Sequence, residues 1–162
     1  MHKLTFYPLG NAETMLINVE NGRRILIDYA NMRDQNDKYD LRCDLYKLLK
    51  EDLANTKSDY YDVVVFTHLD NDHICGFSDF FWLEHKLKGQ TEERITINEM
   101  WVPAAAIVET NLDGDAEIIR AEARHRLRQG CPPPAYCFLH TKSLKQPVQE
   151  YSIATLRCII II

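Results

Sequence analysis

Four short stretches before residue 70 are dominated by apolar positions, and their patterning predicts strands. Leu4 to Tyr7 (LTFY) reads as a strand closed by the turn Pro8-Leu9-Gly10. Met15 to Val19 (MLINV) and Arg24 to Asp28 (RILID) read as two more, and the Asn21-Gly22 pair between them is a strong hairpin signal. Val63 to Phe66 (VVVF) is a continuous, mostly β-branched run, which predicts an interior strand covered on both faces. Ile97 to Pro103 (INEMWVP) predicts a return to the same sheet. Between these runs, Leu41, Leu45, Leu48, Leu49 and Leu53 recur at helical spacing with charged residues among them. They predict an amphipathic helix with Asp40 at its N-cap. That helix and the apolar segment Ile74 to Leu87 are the expected covers of the VVVF strand. Asp115 to Arg128 predicts a further helix with Ile118, Ile119, Ala123 and Leu127 inward, stopped by Gly130 and Pro132 to Pro134.

The chain ends in SIATLRCIIII. Isoleucine favours a strand. Burying Ile159 to Ile162 would contribute about 6 kcal/mol or more, whereas leaving them exposed creates a sticky edge. The expectation is that a missing C-terminal half covers this edge, with internal packing or a homo-oligomer as the alternative.

Strands alternating with helices predict the α/β class. With 162 residues, the chain suits one domain over 1–162 with a real core. It is 46% hydrophobic and 27% charged, which fits a folded globular protein rather than a disordered one. A net charge of −5 gives no strong nucleic-acid signal. Five cysteines without a CxxC pair point to reduced thiols. No run approaches the ~18 apolar residues of a membrane span. The expected compartment is the cytoplasm.

The sharpest chemistry follows VVVF directly. The stretch THLDNDHICG places His68, Asp70, Asp72 and His73 within six positions. Imidazole and carboxylate are ligands for zinc, and also for manganese or iron. A strand giving way to a loop lets all four converge. Two ions held in this way could clamp and activate a water for hydrolysis of a phosphoester or related bond. The plainer alternative is a polar loop in which Asp70 or Asp72 caps the next helix and the histidines stay at the surface.

VVVFTHLDNDHICG resembles the signature of the metallo-β-lactamase fold superfamily: a strand, then His-x-His-x-Asp-His, then a nearby glycine. His68, Asp72, His73 and Gly76 match, and Asp70 stands where the second histidine is usual. That replacement is similar to the hydrolase-like domains of the ComEC/Rec2 competence proteins. GNAETMLINVENGRRILIDYA resembles the superfamily's early hairpin, whose second strand ends in an aspartate, here Asp28.

The resemblance implies an αββα sandwich, incomplete here, with its first β-lobe and covering helices present. It implies two Zn2+ ions, with His68 and Asp70 on one and Asp72 and His73 on the other. Asp72 would also orient the attacking water, and Asp28 would steer a ligand without touching metal. The implied activity is metal-dependent hydrolysis in a complete parent protein, on a small-molecule or phosphoester substrate. The superfamily's closing ligands come from a second half. His85 sits near the end of the helix expected after the motif, His125 reads as a surface or capping residue, and His140 is the only plausible stand-in for the distal histidine. A noncatalytic interaction or scaffold module, or an inactive truncated product keeping part of the site, is the alternative function.

Elsewhere, Phe77, Phe80, Phe81 and Trp82 read as core packing rather than a stacking platform for bases. Arg120, Arg124, Arg126 and Arg128 read as a solvated helix face. Cys75, two residues past His73, reads as structural rather than nucleophilic.

Overall fold

Gly22 takes φ +87°, and Val19 and Arg23 close the turn around it through a 2.8 Å backbone hydrogen bond. The Asn-Gly signal therefore produces the hairpin it predicts, pairing strand β2 (Met15–Asn18) with β3 (Arg24–Ile27) antiparallel, Leu16 opposite Leu26. The computed structural model describes residues 1–86, 90–130 and 158–161. Strand β1 (Lys3–Phe6) adds antiparallel to β2 at one edge. Strands β4 (Tyr60–Val65), β5 (Thr96–Pro103) and β6 (Cys158–Ile161) add parallel, one after another, on the other side of β3. The result is one mixed six-stranded sheet in sequence order, and the protein is of the α/β class. The isoleucine run forms its far edge, with Ile159 opposite Trp101.

Each parallel step needs a crossover. Helix α1 (Leu45–Thr56) carries the chain from β3 to β4. Its N-cap is Asp44, whose carboxylate accepts from the Lys47 amide at 3.1 Å. Asp40 is not the cap. It instead accepts from Arg42 and from the Asp34 amide in the preceding loop, where Leu41 is 96% exposed. Two single-turn helices, α2 (Asn71–Ile74) and α3 (Phe77–Phe80), lead toward β5. Gly76 separates them at φ +80°, so the apolar segment after the motif is broken rather than one continuous cover. A short α4 (Ala105–Val108) and a long α5 (Gly114–Gly130) follow β5.

Leu45, Leu49 and Leu53 of α1, Phe77 and Phe80 of α3, Phe81, and Ile119 and Ala123 of α5 are buried in one cluster. It also contains Leu16, Leu26, Val64, Phe66, Met100 and Val102 from the sheet. Tyr29 stacks on Phe80 with ring centroids 4.7 Å apart, and Phe77 meets Phe66 edge-on. Phe77, Phe80 and Phe81 are thus core, as their apolar clustering predicts, whereas Trp82 is half-buried and outside the cluster.

The opposite side of the sheet is different. Leu4, Ile17, Ile25 and Val63 share one register row, and Phe6, Met15, Ile27, Val65 and Trp101 share the next. Neither row belongs to the core cluster. Phe6 is 71% exposed and Leu4 54%. Val63 and Val65 are buried like Val64 and Phe66, so the VVVF strand is interior, but the two expected covers, α1 and the segment after the motif, both pack on the Val64 and Phe66 face.

Candidate metal centre

The candidate site forms where β3 and β4 end side by side. Asp28 follows β3, and its amide continues the ladder by donating to the Val65 carbonyl at 2.8 Å. It adopts φ +56°, a left-handed conformation that aspartate tolerates better than most residues. Its carboxylate is 2% exposed and accepts three times. The Thr67 amide donates at 2.7 Å and the Thr67 hydroxyl at 2.5 Å, while His73 Nδ1 lies 2.9 Å away.

His73 is supplied by α2, which curls back over the strand ends. Its own amide donates to the Asp70 carbonyl, and its carbonyl accepts from the Tyr29 amide. Asn31 repeats the second contact on Cys75. Two backbone bonds, from the Tyr29 and Asn31 amides, therefore lock the motif turn to the segment after β3. On the far side of the turn, the Glu13 amide donates to the Asp72 carbonyl at 3.3 Å. A cleft of about 540 Å³ begins at the neighbouring Ala12, lined also by Leu9, Gly10, Met32 and Arg42.

The four residues singled out by spacing do share one turn. His68 and His73 face each other with ring centroids 4.9 Å apart. His68 Nδ1 sits 3.2 Å from the Thr67 hydroxyl. Asp70 occupies the position before α2 without capping it through its side chain, so the plain helix-cap alternative is not realised there. Asp72 lies in the first turn of α2, half-buried. Burial pulls the His73 pKa down, but the hydrogen bond and charge of Asp28 outweigh it. Asp72 and Glu13 add to the upward push, so the net shift is upward.

How well do these donors suit a metal? Both imidazoles are engaged through Nδ1, one by a carboxylate and one by a hydroxyl, which leaves Nε2 on each ring as the open nitrogen. A carboxylate on the far nitrogen is the usual companion of a metal-binding histidine. The donor chemistry fits, as a partial set. Among the described residues, no three His, Cys, Asp or Glu side chains gather in a metal-holding geometry.

Among the described residues, the remaining histidines do not complete the set. His85 Nδ1 is 2.6 Å from the buried Glu122 carboxylate, and His125 lies on α5. His140 lies outside the described residues. Cys75 is half-buried, its sulfur 3.8 Å from the Asn31 carbonyl. Burial raises its thiol pKa, the reverse of what a nucleophile needs.

Two residues of the assembly escape a spacing argument. Thr67 bridges Asp28 to both histidines, and its only signal was its place at the head of the motif. Asp115, at the start of α5, accepts from the Gly76 amide at 2.8 Å and the Ser78 amide at 3.1 Å, clamping the turn from a distance of 39 residues. Nothing local marks it. The arginines of α5 also differ from a solvated face. Arg126 is fully buried, bonding Glu122 at 2.7 Å and the Ile97 carbonyl at 2.8 Å, with Glu84 3.3 Å away. No described helix is long and apolar enough to cross a membrane. No known protein family, curated protein or solved structure matches the chain.

Proposed function

We propose that this chain supplies the first lobe of a metal-dependent hydrolase resembling the metallo-β-lactamase superfamily, acting on a phosphoester or related bond. The observation that carries the reading is the buried Asp28 carboxylate holding His73 by Nδ1 at the carboxyl ends of two parallel strands. A histidine held this way presents Nε2 in a fixed direction. His68 and Asp70 would serve one ion, and Asp72 and His73 the other. Bound zinc, or manganese or iron, would supply a water acidic enough to attack at neutral pH.

The chain's own residues divide the work. Asp28 and Thr67 orient the two rings. Asp72, whose carboxylate is not spent on a helix cap, can accept the proton of the attacking water. Leu4 and Phe6, exposed at the β1 end of this sheet face, are what a second β-layer would cover in an αββα sandwich, which supports reading this as the first of two lobes. The remaining ligands would come from that second layer.

The alternative is a noncatalytic interaction or scaffold module that keeps remnants of the site. The lack of a three-donor cluster among the described residues favours it. Zinc titration of the purified chain, with bis(p-nitrophenyl) phosphate turnover, separates the two. The proposal expects about one weakly held ion per chain, lost in His73→Ala and in Asp72→Ala with far-UV circular dichroism unchanged. Two tightly held ions with robust turnover would refute the incomplete-site part. Absence of zinc binding in the folded wild type would favour the scaffold.

A further inference from the structure

The outward face of α5 carries a column of like charge. Arg120, Arg124 and Arg128 follow at four-residue spacing, which stacks their side chains one helical turn apart. Like charges so placed repel and destabilise a helix. With His85 and His125 they line a pocket of about 390 Å³, at the small end of the range for ligand sites. Glu117 is the one acidic side chain among the described lining residues, 3.8 Å from Arg120. Three arginines less one glutamate leave two positive charges, on a chain whose overall charge is −5.

The arginine heads are already positioned. Arg120 Nη1 donates to the Glu109 carbonyl at 2.7 Å, and Arg124 Nη2 to the Ile107 carbonyl at 2.5 Å. A guanidinium has five N–H donors, so one bond each leaves most of them for a ligand. Holding the side chains in place beforehand lowers the entropy cost of binding. His85 is fixed through Nδ1 by Glu122, leaving Nε2 as its open ring atom. Arg126, with Glu122 at 2.7 Å and Glu84 at 3.3 Å, lies behind the pocket, and none of the three is among its described lining residues.

We propose that this pocket binds the phosphoryl group of a small ligand, inorganic phosphate or a phosphomonoester. A phosphoryl dianion matches the surplus of two positive charges and the forked donors of arginine. This assignment stands independently of the metal reading, because it involves none of the motif residues.

The test is calorimetric titration of the full chain at low ionic strength with inorganic phosphate and, separately, adenosine monophosphate. Saturable binding of either is expected, about ten-fold weaker in Arg124→Gln and in Arg128→Gln. Arg128 is exposed, so its replacement tests the site without touching the α4 tether. Lys47→Gln on α1, an exposed lysine outside the pocket lining, should bind as wild type. Tighter binding of the nucleotide would mark a phosphomonoester site, and equal binding a site for free phosphate. Failure of wild type to bind either probe, or equal binding in both arginine variants, would overturn the proposal. So would capture of a short RNA without any response to inorganic phosphate, which marks a polyanion surface instead.

Discussion

Asp28 is the residue whose replacement tests both fold and site. Its carboxylate is almost wholly buried and accepts from Thr67 twice and from His73, all within 2.9 Å. Hydrogen bonds to a charged acceptor contribute about 1.5–3 kcal/mol net. Thr67 is exposed and can recover some bonds from water, so the three together are taken as about 2 kcal/mol. The backbone at φ +56° adds a second contribution, because aspartate's short polar side chain eases a left-handed conformation that alanine adopts at a cost of about 1 kcal/mol. Asp28→Ala loses both and should destabilise by about 3 kcal/mol. Asp28→Gly escapes the backbone cost and should fall about 1 kcal/mol short of that. Asp28→Asn keeps an acceptor for the Thr67 amide and tolerates the conformation, and should lose only about 1 kcal/mol. Urea unfolding followed by far-UV circular dichroism gives the order. If alanine proves no worse than glycine, the backbone reasoning fails. If all three lie within about 0.5 kcal/mol of wild type, in the range of ordinary surface changes, the carboxylate does not hold the turn. Zinc titration of Asp28→Asn adds the functional half: affinity should drop about 10–100-fold with the fold retained.

Two further outcomes follow from the α5 helix. Burial raises the Glu122 pKa, but Arg126 and the His85 and Glu84 hydrogen bonds outweigh it, so the folded value lies below the ordinary one. A depressed carboxylate pKa adds stability that is complete above its unfolded pKa of about 4.3 and is lost as pH falls through the folded value. Glu122→Gln should therefore cost about 3 kcal/mol near neutrality, through the buried Arg126 left behind. The gap from wild type should narrow in urea melts below about pH 4, and a constant gap down to that range would contradict the linkage. Asp115→Ala should cost about 2 kcal/mol, with faster amide hydrogen exchange at Gly76 and Ser78 in particular. Uniform loss of protection would mean that Asp115 supports the helix rather than the turn.

Much of the fold was legible because single local rules decided it. Asn21-Gly22 had one good conformation, and VVVF could only be an interior strand. The start of α1 was misjudged because Leu41 is in phase with Leu45, yet the carboxylate of Asp40 is spent on Arg42 and Asp34. Asp44 was left to cap. The expectation of two covered faces failed for a topological reason. Parallel crossovers are almost always right-handed. The strands from β3 to β6 advance across the sheet in one direction, so the described crossover helices lie on the same side. Hydrophobicity along a helix does not reveal that. Within the site, His73 and Asp28 were legible from the motif and the strand end. Asp115 and Glu122 were not, because their partners lie 39, 37 and 38 residues away and a carboxylate on a helix ordinarily reads as solvated.

The location of the motif carries more weight than its letters. In open α/β sheets, ligands collect beyond the carboxyl ends of parallel strands, where loops diverge and backbone groups are free to face a guest. Here β3 and β4 run parallel and end within one residue pair of each other, Ile27 opposite Val65. One sends out Asp28 and the other sends out Thr67 to His73. Turning α2 back across both ends spends two backbone hydrogen bonds, a left-handed aspartate and a buried carboxylate on orienting a single imidazole. A loop selected only to connect strand to helix would not need that carboxylate on a histidine, and water would satisfy the ring equally well. The investment makes sense if Nε2 of His73 must point at something in a fixed direction. A metal ion is the partner for which direction matters most. Zinc binding that survives Asp28→Asn undiminished would therefore remove the reason for the whole arrangement.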